Sequence, residues 1–217
     1  MANLRLPKKV NVGGVAYKIV YPYDFVDDRS LLGLCEWLED TILLSGNMAG
    51  KPIDKQTVIH TFIHELLHAI DFVYFGGEFV TEESDNYLID TLAMGLLQVF
   101  RDNAIDLNSV TMPEYIRIGG FDFKIIYPYD FLTEGTLIST KVVNPSIKIA
   151  GGAIGIELTA SVVKRQLLGG IIRAIGYVYG ISPKLYNEIT TPQMAAGVFQ
   201  VFTGIDMEGL IDKWINS

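Results

Sequence analysis

Residues 10–25 read VNVGGVAYKIVYPYDF, and residues 116–131 read IRIGGFDFKIIYPYDF. The two stretches lie 106 residues apart and share the ending Tyr-Pro-Tyr-Asp-Phe. A weaker match continues along each half of the chain, and self-similarity at a fixed spacing indicates a repeated structural unit. The sequence therefore predicts two copies of one module, residues 1–106 and residues 107–217.

Each copy is predicted to be an α+β module, a small antiparallel sheet followed by two helices. Alternation from Val10 to Val20 predicts strand structure, with Gly13-Gly14 as a turn or bulge. The following Tyr-Pro-Tyr-Asp is predicted to end this strand, because proline cannot donate to a ladder hydrogen bond. Its Tyr-Pro bond, like that of the second copy, is a candidate for cis geometry. The other elements predicted for the first copy are strands near residues 34–37 and 41–44, a helix at about 54–74, and a helix from Thr81 to about Arg101.

The first helix of copy one contains His64-Glu65-Leu66-Leu67-His68. Histidines four residues apart lie on one helix face, where both imidazoles can reach one zinc ion at about 2.0–2.1 Å. Glu65 is then placed to take a proton from a water on the metal, as the general base of a zinc peptidase does. Chance placement of packed polar residues is the alternative, but the chain has only three histidines and all lie in this helix.

His60 is the third of these histidines. A helix rises about 1.5 Å per residue, so His60 and His68 are about 12 Å apart along its axis. Two ligands of one zinc ion lie within about 4 Å of each other. His60 and His64 also have no glutamate between them. The metal is therefore assigned to His64 and His68, and His60 is expected beside these ligands or in the core.

A third protein ligand must be a carboxylate, because no further histidine follows. Helical phase places Glu82 in the apolar stripe of the next helix and Asp85 at its edge, whereas Glu83 and Asp90 point further away. Glu82 is the predicted third ligand and Asp85 the next candidate. A charged first turn that faces water is the alternative for both.

Asp71 lies three residues after His68 and shares the face of the two histidines. A carboxylate at this place could accept the other imidazole N–H of a metal ligand and so orient the ring. It could equally face solvent near the end of the helix. The first role is the one predicted.

In the second copy, Gly169, Gly170 and Arg173 align with His64, Glu65 and His68, respectively. Arginine keeps its proton in proteins and does not ligate zinc. The second copy is therefore predicted to lack the metal site. Adjacent glycines are costly in a helix, so they indicate either tight helix packing or a groove for a partner segment.

Composition limits the partners and the cellular compartments that are compatible with the chain. The formal net charge of −8 argues against nucleic acid as a partner, since nucleic-acid binding needs a basic surface. The one cysteine, Cys35, excludes an internal disulfide and fits a reducing compartment. The N-terminal residues have no apolar segment of a secretory signal peptide, and no apolar run approaches the about 20 residues of a membrane span. With 49% hydrophobic residues, the chain has material for two cores and for an interface between subunits.

These motifs give the first copy a resemblance to minigluzincins, small metallopeptidase-like proteins of bacteriophages and mobile elements. The resemblance lies in the strand with its glycine turn, the His-Glu-x-x-His helix continuing His68-Ala69-Ile70-Asp71, and the second helix ending at residues 92–103. It covers nearly all of copy one, and the strand and helix ends of copy two. It implies a zinc-dependent peptidase scaffold and a phage source. The family also expects a glutamate ligand seven residues before Ala93, where this chain has Asn86.

The resemblance and the motif together predict a phage-encoded zinc metallopeptidase that hydrolyses peptides in the host cytoplasm or the virion. Its partners would be proteins or peptides, with no nucleic acid and no membrane. The alternative is a catalytically inactive peptidase-fold protein that binds other proteins, as a homo-oligomer or as part of a phage assembly. Loss of the motif from the second copy fits that alternative.

Overall fold

The computed structural model describes residues 4–78, 83–103, 105, 107, 111–133, 135–181 and 190–205, with the side chains of residues 83–85, 190 and 191 left out. The first copy contains β1 (Lys9–Val12), β2 (Val15–Tyr23), β3 (Gly33–Glu36), β4 (Thr41–Ser45), β5 (Asn47–Met48), β6 (Lys51–Pro52), α1 (Lys55–Phe75) and α2 (Glu83–Asn103). The second contains β7 (Tyr115–Ile118), β8 (Phe121–Tyr129), β9 (Ile138–Lys141), β10 (Ser146–Ala150), β11 (Gly152–Ala153), β12 (Ile156–Glu157), α3 (Ala160–Val178) and α4 (Thr190–Thr203). The duplicated sheet-plus-helix arrangement confirms the predicted α+β fold.

The two four-stranded sheets have equivalent orders, β1-β2-β4-β3 and β7-β8-β10-β9. The prediction of wholly antiparallel sheets is wrong, because β2 and β4 run parallel, as do β8 and β10. The burial of β4 explains its central place. Its apolar run Ile42-Leu43-Leu44 is buried on both faces, as is typical of a strand with covered faces. The less buried β3 is left at the edge of the sheet.

The predicted end of the first strand at Tyr-Pro-Tyr-Asp is also wrong, since β2 continues through Pro22 to Tyr23. Pairing of β2 with β4 shifts register between Val20 and Tyr23. Such an irregularity lets a strand contain a proline, which has no N–H to donate. Both Tyr-Pro peptide bonds are cis, as the sequence suggested.

Helix α1 carries the His-Glu-x-x-His motif and has well-defined ends. Asp54 caps its N-terminus by accepting a hydrogen bond from the Thr57 backbone N–H at 2.9 Å. Gly76 ends it in the left-handed conformation, φ 68°. The helix packs on β3 and β4, so it presents the motif at the sheet edge formed by β3. Among the described residues, no helix combines the length and the apolar character needed to cross a membrane.

The chain forms two compact units, one of residues 1–97 and 200–217 and the other of residues 98–199. The first unit thus ends within α2 and includes the last residues of α4. The boundary predicted between residues 106 and 107 comes from the repeat in the sequence and stays a prediction.

A glutamine binds the glycine turn of the first hairpin in each unit. In the first unit, Gln200 accepts a hydrogen bond from the Gly13 N–H at 2.6 Å and donates to the Gly13 carbonyl at 2.9 Å. In the second, Gln98 accepts from the Gly119 N–H at 2.9 Å. Gln98 and Gln200 are the glutamines of the repeated Gln-Val-Phe sequence, so the repeat preserves this contact.

Candidate functional site

A cavity of about 950 Å³ lies in the first unit, beside the motif face of α1. Its size is at the upper end of the range of about 300–1,000 Å³ that is usual for ligand pockets. The wall combines residues from β3 and the turn after it, from α1 and from α2. The lining includes Leu31, Gly33, Leu34, Cys35, Trp37, His64, Glu65, His68, Asp71, Phe72, Asn86 and Asp90.

The two motif histidines point their Nε2 atoms at each other. These atoms are 3.0 Å apart and form a hydrogen bond, with one nitrogen as donor. The separation is inside the about 4 Å limit set by two zinc–nitrogen bonds of about 2 Å. The pair therefore fits a shared zinc ion, whose binding would displace the proton between the two rings.

Asp90 contacts His64 on the opposite side of the ring, so the prediction that Asp90 points away from the site is wrong. Asp90 Oδ1 lies 3.5 Å from His64 Nδ1 and 3.5 Å from His60 Nε2. A carboxylate beside Nδ1 favours the tautomer whose Nε2 is free to ligate. His60 also contacts the Asp90 backbone carbonyl, at 3.3 Å. Asp90 lies at the border of the buried stripe of α2. The prediction took the centre of that stripe as the side that faces the site, and it therefore placed Asp90 too far away.

Asn86 contacts the other histidine. Its side chain hydrogen-bonds to His68 and by this contact works to raise the pKa of the imidazole. Asn86 lies four residues before Asp90, so both project from one face of α2. The position at which the resemblance expects a glutamate ligand is thus at the site, but it offers a neutral amide.

Burial keeps both imidazoles neutral. Burial, followed by the neighbouring His68, lowers the pKa of His64 to about 4. Burial also lowers the pKa of His68, and this effect outweighs the opposing effect of its hydrogen bond to Asn86. Neutral imidazole is the form that ligates metal ions. Both side chains are therefore ready to bind a cation at neutral pH.

Glu65 lies beneath the edge strand β3 and is only 7% exposed. Burial raises the pKa of its carboxyl to about 8, against the lowering effect of a hydrogen bond from the Cys35 backbone N–H. Without a nearby cation the group is therefore mostly protonated at neutral pH. A metal ion between the histidines would favour the ionised form, which is the form a general base needs.

Gly33 of β3 makes room for this carboxylate. A Cβ atom at position 33 would lie 2.6 Å from Glu65 Oε1 and 2.6 Å from Thr61 Cγ2. Real Cβ atoms essentially never approach other atoms so closely. Any side chain at position 33 would therefore displace Glu65 or Thr61.

The second unit shows the inverse arrangement. Ile138 occupies the position of Gly33, and Gly170 occupies the position of Glu65, both at an offset of 105 residues. A Cβ at Gly170 would lie 3.0 Å from Ile138 Cδ1 and 2.4 Å from Ile147 Cγ2. Of the two interpretations of the glycine pair, Gly170 supports tight helix packing. Alignment of the two copies could have revealed this packing. The first copy pairs a glycine on the strand with a large residue on the helix, and the second copy pairs a large residue on the strand with a glycine on the helix.

The remaining predicted site residues are placed less completely. Asp71 is 3% exposed and lies in the cavity wall, and its role in orienting a histidine stays a prediction. Glu82 lies outside the described residues. Asp85 belongs to α2, in the part whose side chains are not described. Within the described part of the chain, no group of three or more His, Cys, Asp or Glu side chains is arranged to hold a metal ion.

Cys35 is the neighbour of Glu65 that the sequence did not single out. Its backbone N–H donates to the Glu65 carboxylate. Burial, with the nearby Glu65 charge, raises the pKa of its thiol to about 12. A thiol that keeps its proton is neither a good nucleophile nor a ready metal ligand. The contribution of Cys35 to the site is thus its backbone.

Comparison of the chain with protein-family models, with curated proteins and with solved structures finds no match. The resemblance to minigluzincins therefore stays a prediction from the motifs.

Proposed function

We propose that this protein is a zinc-dependent peptide hydrolase whose site lies in the first unit. The observation that carries the proposal is the facing pair of neutral imidazoles, His64 and His68, beside the buried carboxylate of Glu65 in one cavity. Together these are the metal ligands and the base that metal-assisted hydrolysis requires.

Each residue has a task in this reaction. His64 and His68 would hold the metal, with Asp90 and Asn86 orienting their rings. When bound, zinc supplies Lewis acidity for the scissile carbonyl and lowers the pKa of water. Glu65 would accept a proton from the attacking water on a carboxylate oxygen and pass it to the departing amine.

The edge strand β3 supports a peptide as substrate. The Leu32 carbonyl accepts a hydrogen bond from the Ser45 N–H on β4, whereas the Cys35 N–H points away from β4, to Glu65. The outer edge of β3 thus borders the cavity. Extended peptides bind such edges by main-chain hydrogen bonds.

Zinc analysis and peptide cleavage test the proposal together. Purified protein should hold one zinc ion per chain, and the double variant His64→Ala, His68→Ala should hold none. Cleavage of a mixed peptide library, followed by mass spectrometry, should disappear in Glu65→Gln while zinc content remains. Wild-type protein that holds no zinc after dialysis against a zinc buffer would refute the proposal.

Asn86 favours a second candidate, an inactive peptidase-fold protein that binds other proteins. A neutral amide in place of a carboxylate leaves fewer charged ligands for the metal, and the second copy has Gly169, Gly170 and Arg173 in place of the motif residues. In this case Glu65→Gln would retain any zinc that the wild type binds, and the substitution would change no activity. The phage source implied by the resemblance supports action in the host cytoplasm or the virion under either candidate.

A further inference from the structure

An aromatic pair forms one wall of the cavity. Trp37 and Phe72 stack with ring centroids 4.6 Å apart and an interplanar angle of 28°. Phe72 lies one helical turn after His68, so its ring is on the motif face of α1. Trp37 is 47% exposed. A large apolar surface left open in a cavity beside polar groups is typical of a ligand-binding wall.

The second unit shows that the fold does not require this wall. Four apolar wall residues of the first unit and their counterparts in the second are Leu31 and Thr136, Leu34 and Ser139, Trp37 and Val142, and Phe72 and Tyr177. The counterparts are smaller or more polar, although they lie on or beside the equivalent elements, β3 and β9 or α1 and α3. The apolar wall therefore accompanies the His-Glu-x-x-His motif, as expected for a part of the site.

The charge of the wall restricts the ligand further. Asp71 and Asp90 line the cavity, and its described lining contains no Lys or Arg. An acidic ligand would enter against like charges, which disfavours its binding. The suitable ligand is thus apolar and without a carboxylate side chain near the wall.

We propose that Trp37, Phe72 and Leu34 form a side-chain subsite that selects peptide segments carrying a large apolar residue. The inference rests on the proposed function, because it assigns the substrate class of the same cavity. The peptide would lie along β3 with its apolar side chain against the aromatic pair. Removal of that side chain from water supplies the selectivity.

Binding of uncleaved peptides tests the subsite without turnover. Blocked pentapeptides Ala-Ala-X-Ala-Ala, with X as Leu, Phe, Ala, Asn or Asp, are titrated by calorimetry into wild-type protein kept metal-free with EDTA. The Leu and Phe peptides should bind about tenfold tighter than the Ala peptide, the usual range for a filled apolar pocket. The Asp peptide should bind more weakly than its Asn counterpart.

Variants assign the selectivity to the wall. Trp37→Val and Leu34→Ser introduce the residues that the second unit carries at these positions, and each should reduce the preference for Leu over Ala to a few-fold. Leu38→Ala is the matched control, because Leu38 is 80% exposed and is not part of the cavity lining. It should leave the preference unchanged. Circular dichroism identifies a variant that fails to fold, in which case the other one decides.

The two proposals fail in different ways. Equal affinity for the Leu and Ala peptides, or a preference that survives in a folded Trp37→Val or Leu34→Ser variant, would overturn the subsite. Selective peptide binding without zinc uptake or cleavage would leave the subsite standing and refute the hydrolase. Cleavage without any preference for an apolar residue would leave the hydrolase standing and refute the subsite.

Discussion

The Cα of Gly33 lies so close to the carboxylate of Glu65 that no side chain fits between them, since a Cβ at position 33 would be 2.6 Å from Glu65 Oε1. In the second unit the same two positions hold Ile138 and Gly170, so the large side chain is on the strand and the glycine is on the helix. The pair explains at once why one unit has room for a glutamate and the other does not.

Gly33→Ala should therefore damage the site. The added methyl group displaces Glu65 or Thr61, and a misplaced catalytic group costs about a hundredfold in rate. Peptide cleavage should fall by about that factor while the zinc content stays near that of the wild type. Gly14→Ala is the control, because a Cβ at Gly14 meets no atom within 4 Å. Equal activity of the two variants would show that Glu65 needs no space at position 33.

Asn86→Glu should strengthen metal binding. The Asn86 side chain reaches His68, so a carboxylate from the same position can approach an ion held by the two histidines and supply a third, charged ligand. We expect the zinc dissociation constant to fall by about tenfold or more, an energy of about 1.4 kcal/mol. Competition with a fluorescent chelator measures it. Asn86→Gln is the control, because glutamine has the length of glutamate but no charge, and it should give no such gain in affinity. A similar affinity in both variants would exclude position 86 as a ligand.

Glu65→Gln should change the pH dependence of stability in metal-free protein. The folded-state pKa of Glu65, about 8, exceeds its ordinary value of 4.5. Its stabilising contribution is therefore complete below pH 4.5 and is lost as the pH rises to about 8, on the order of 1 kcal/mol per pH unit. The melting temperature of Glu65→Gln should rise relative to wild type between pH 5 and pH 8 in EDTA. Glu39→Gln, a change at an exposed glutamate, is the control. A constant difference across this range would contradict the burial of Glu65 as a protonated acid.

Tyr17→Phe should leave the protein as stable or more stable. Tyr17 is fully buried, and among the described residues its hydroxyl has no hydrogen-bond partner. The second unit has Phe123 at the equivalent position, also fully buried. Removing the hydroxyl should raise the free energy of unfolding by up to about 1 kcal/mol, and Phe123→Tyr should lower it by about 1–3 kcal/mol. Urea denaturation measures both. A loss of stability in Tyr17→Phe would reveal a partner for the hydroxyl.

Much of the fold could be predicted because its signals are local. The apolar spacing predicted a helix at about residues 54–74, almost the observed bounds of α1, and the repeat predicted a second sheet-plus-helix set. The parallel pairing of β2 with β4 could not be predicted, because strand order depends on which strand buries both faces. The course of β2 through Pro22 was missed for a similar reason, since only the register shift against β4 accommodates the proline.

For the site, the sequence by itself determined the chemical groups, which are two histidines one helical turn apart and a glutamate directly after the first of them. It also determined that all three are absent from the aligned positions of the second copy. The resemblance also indicated position 86, but only the tertiary structure decided the other residues that surround these groups. Asp90 reaches the histidines from α2, Gly33 leaves space for Glu65 from β3, and Trp37 stacks on Phe72. The physical reason is that helical spacing acts within one element, whereas these contacts depend on how separate elements pack.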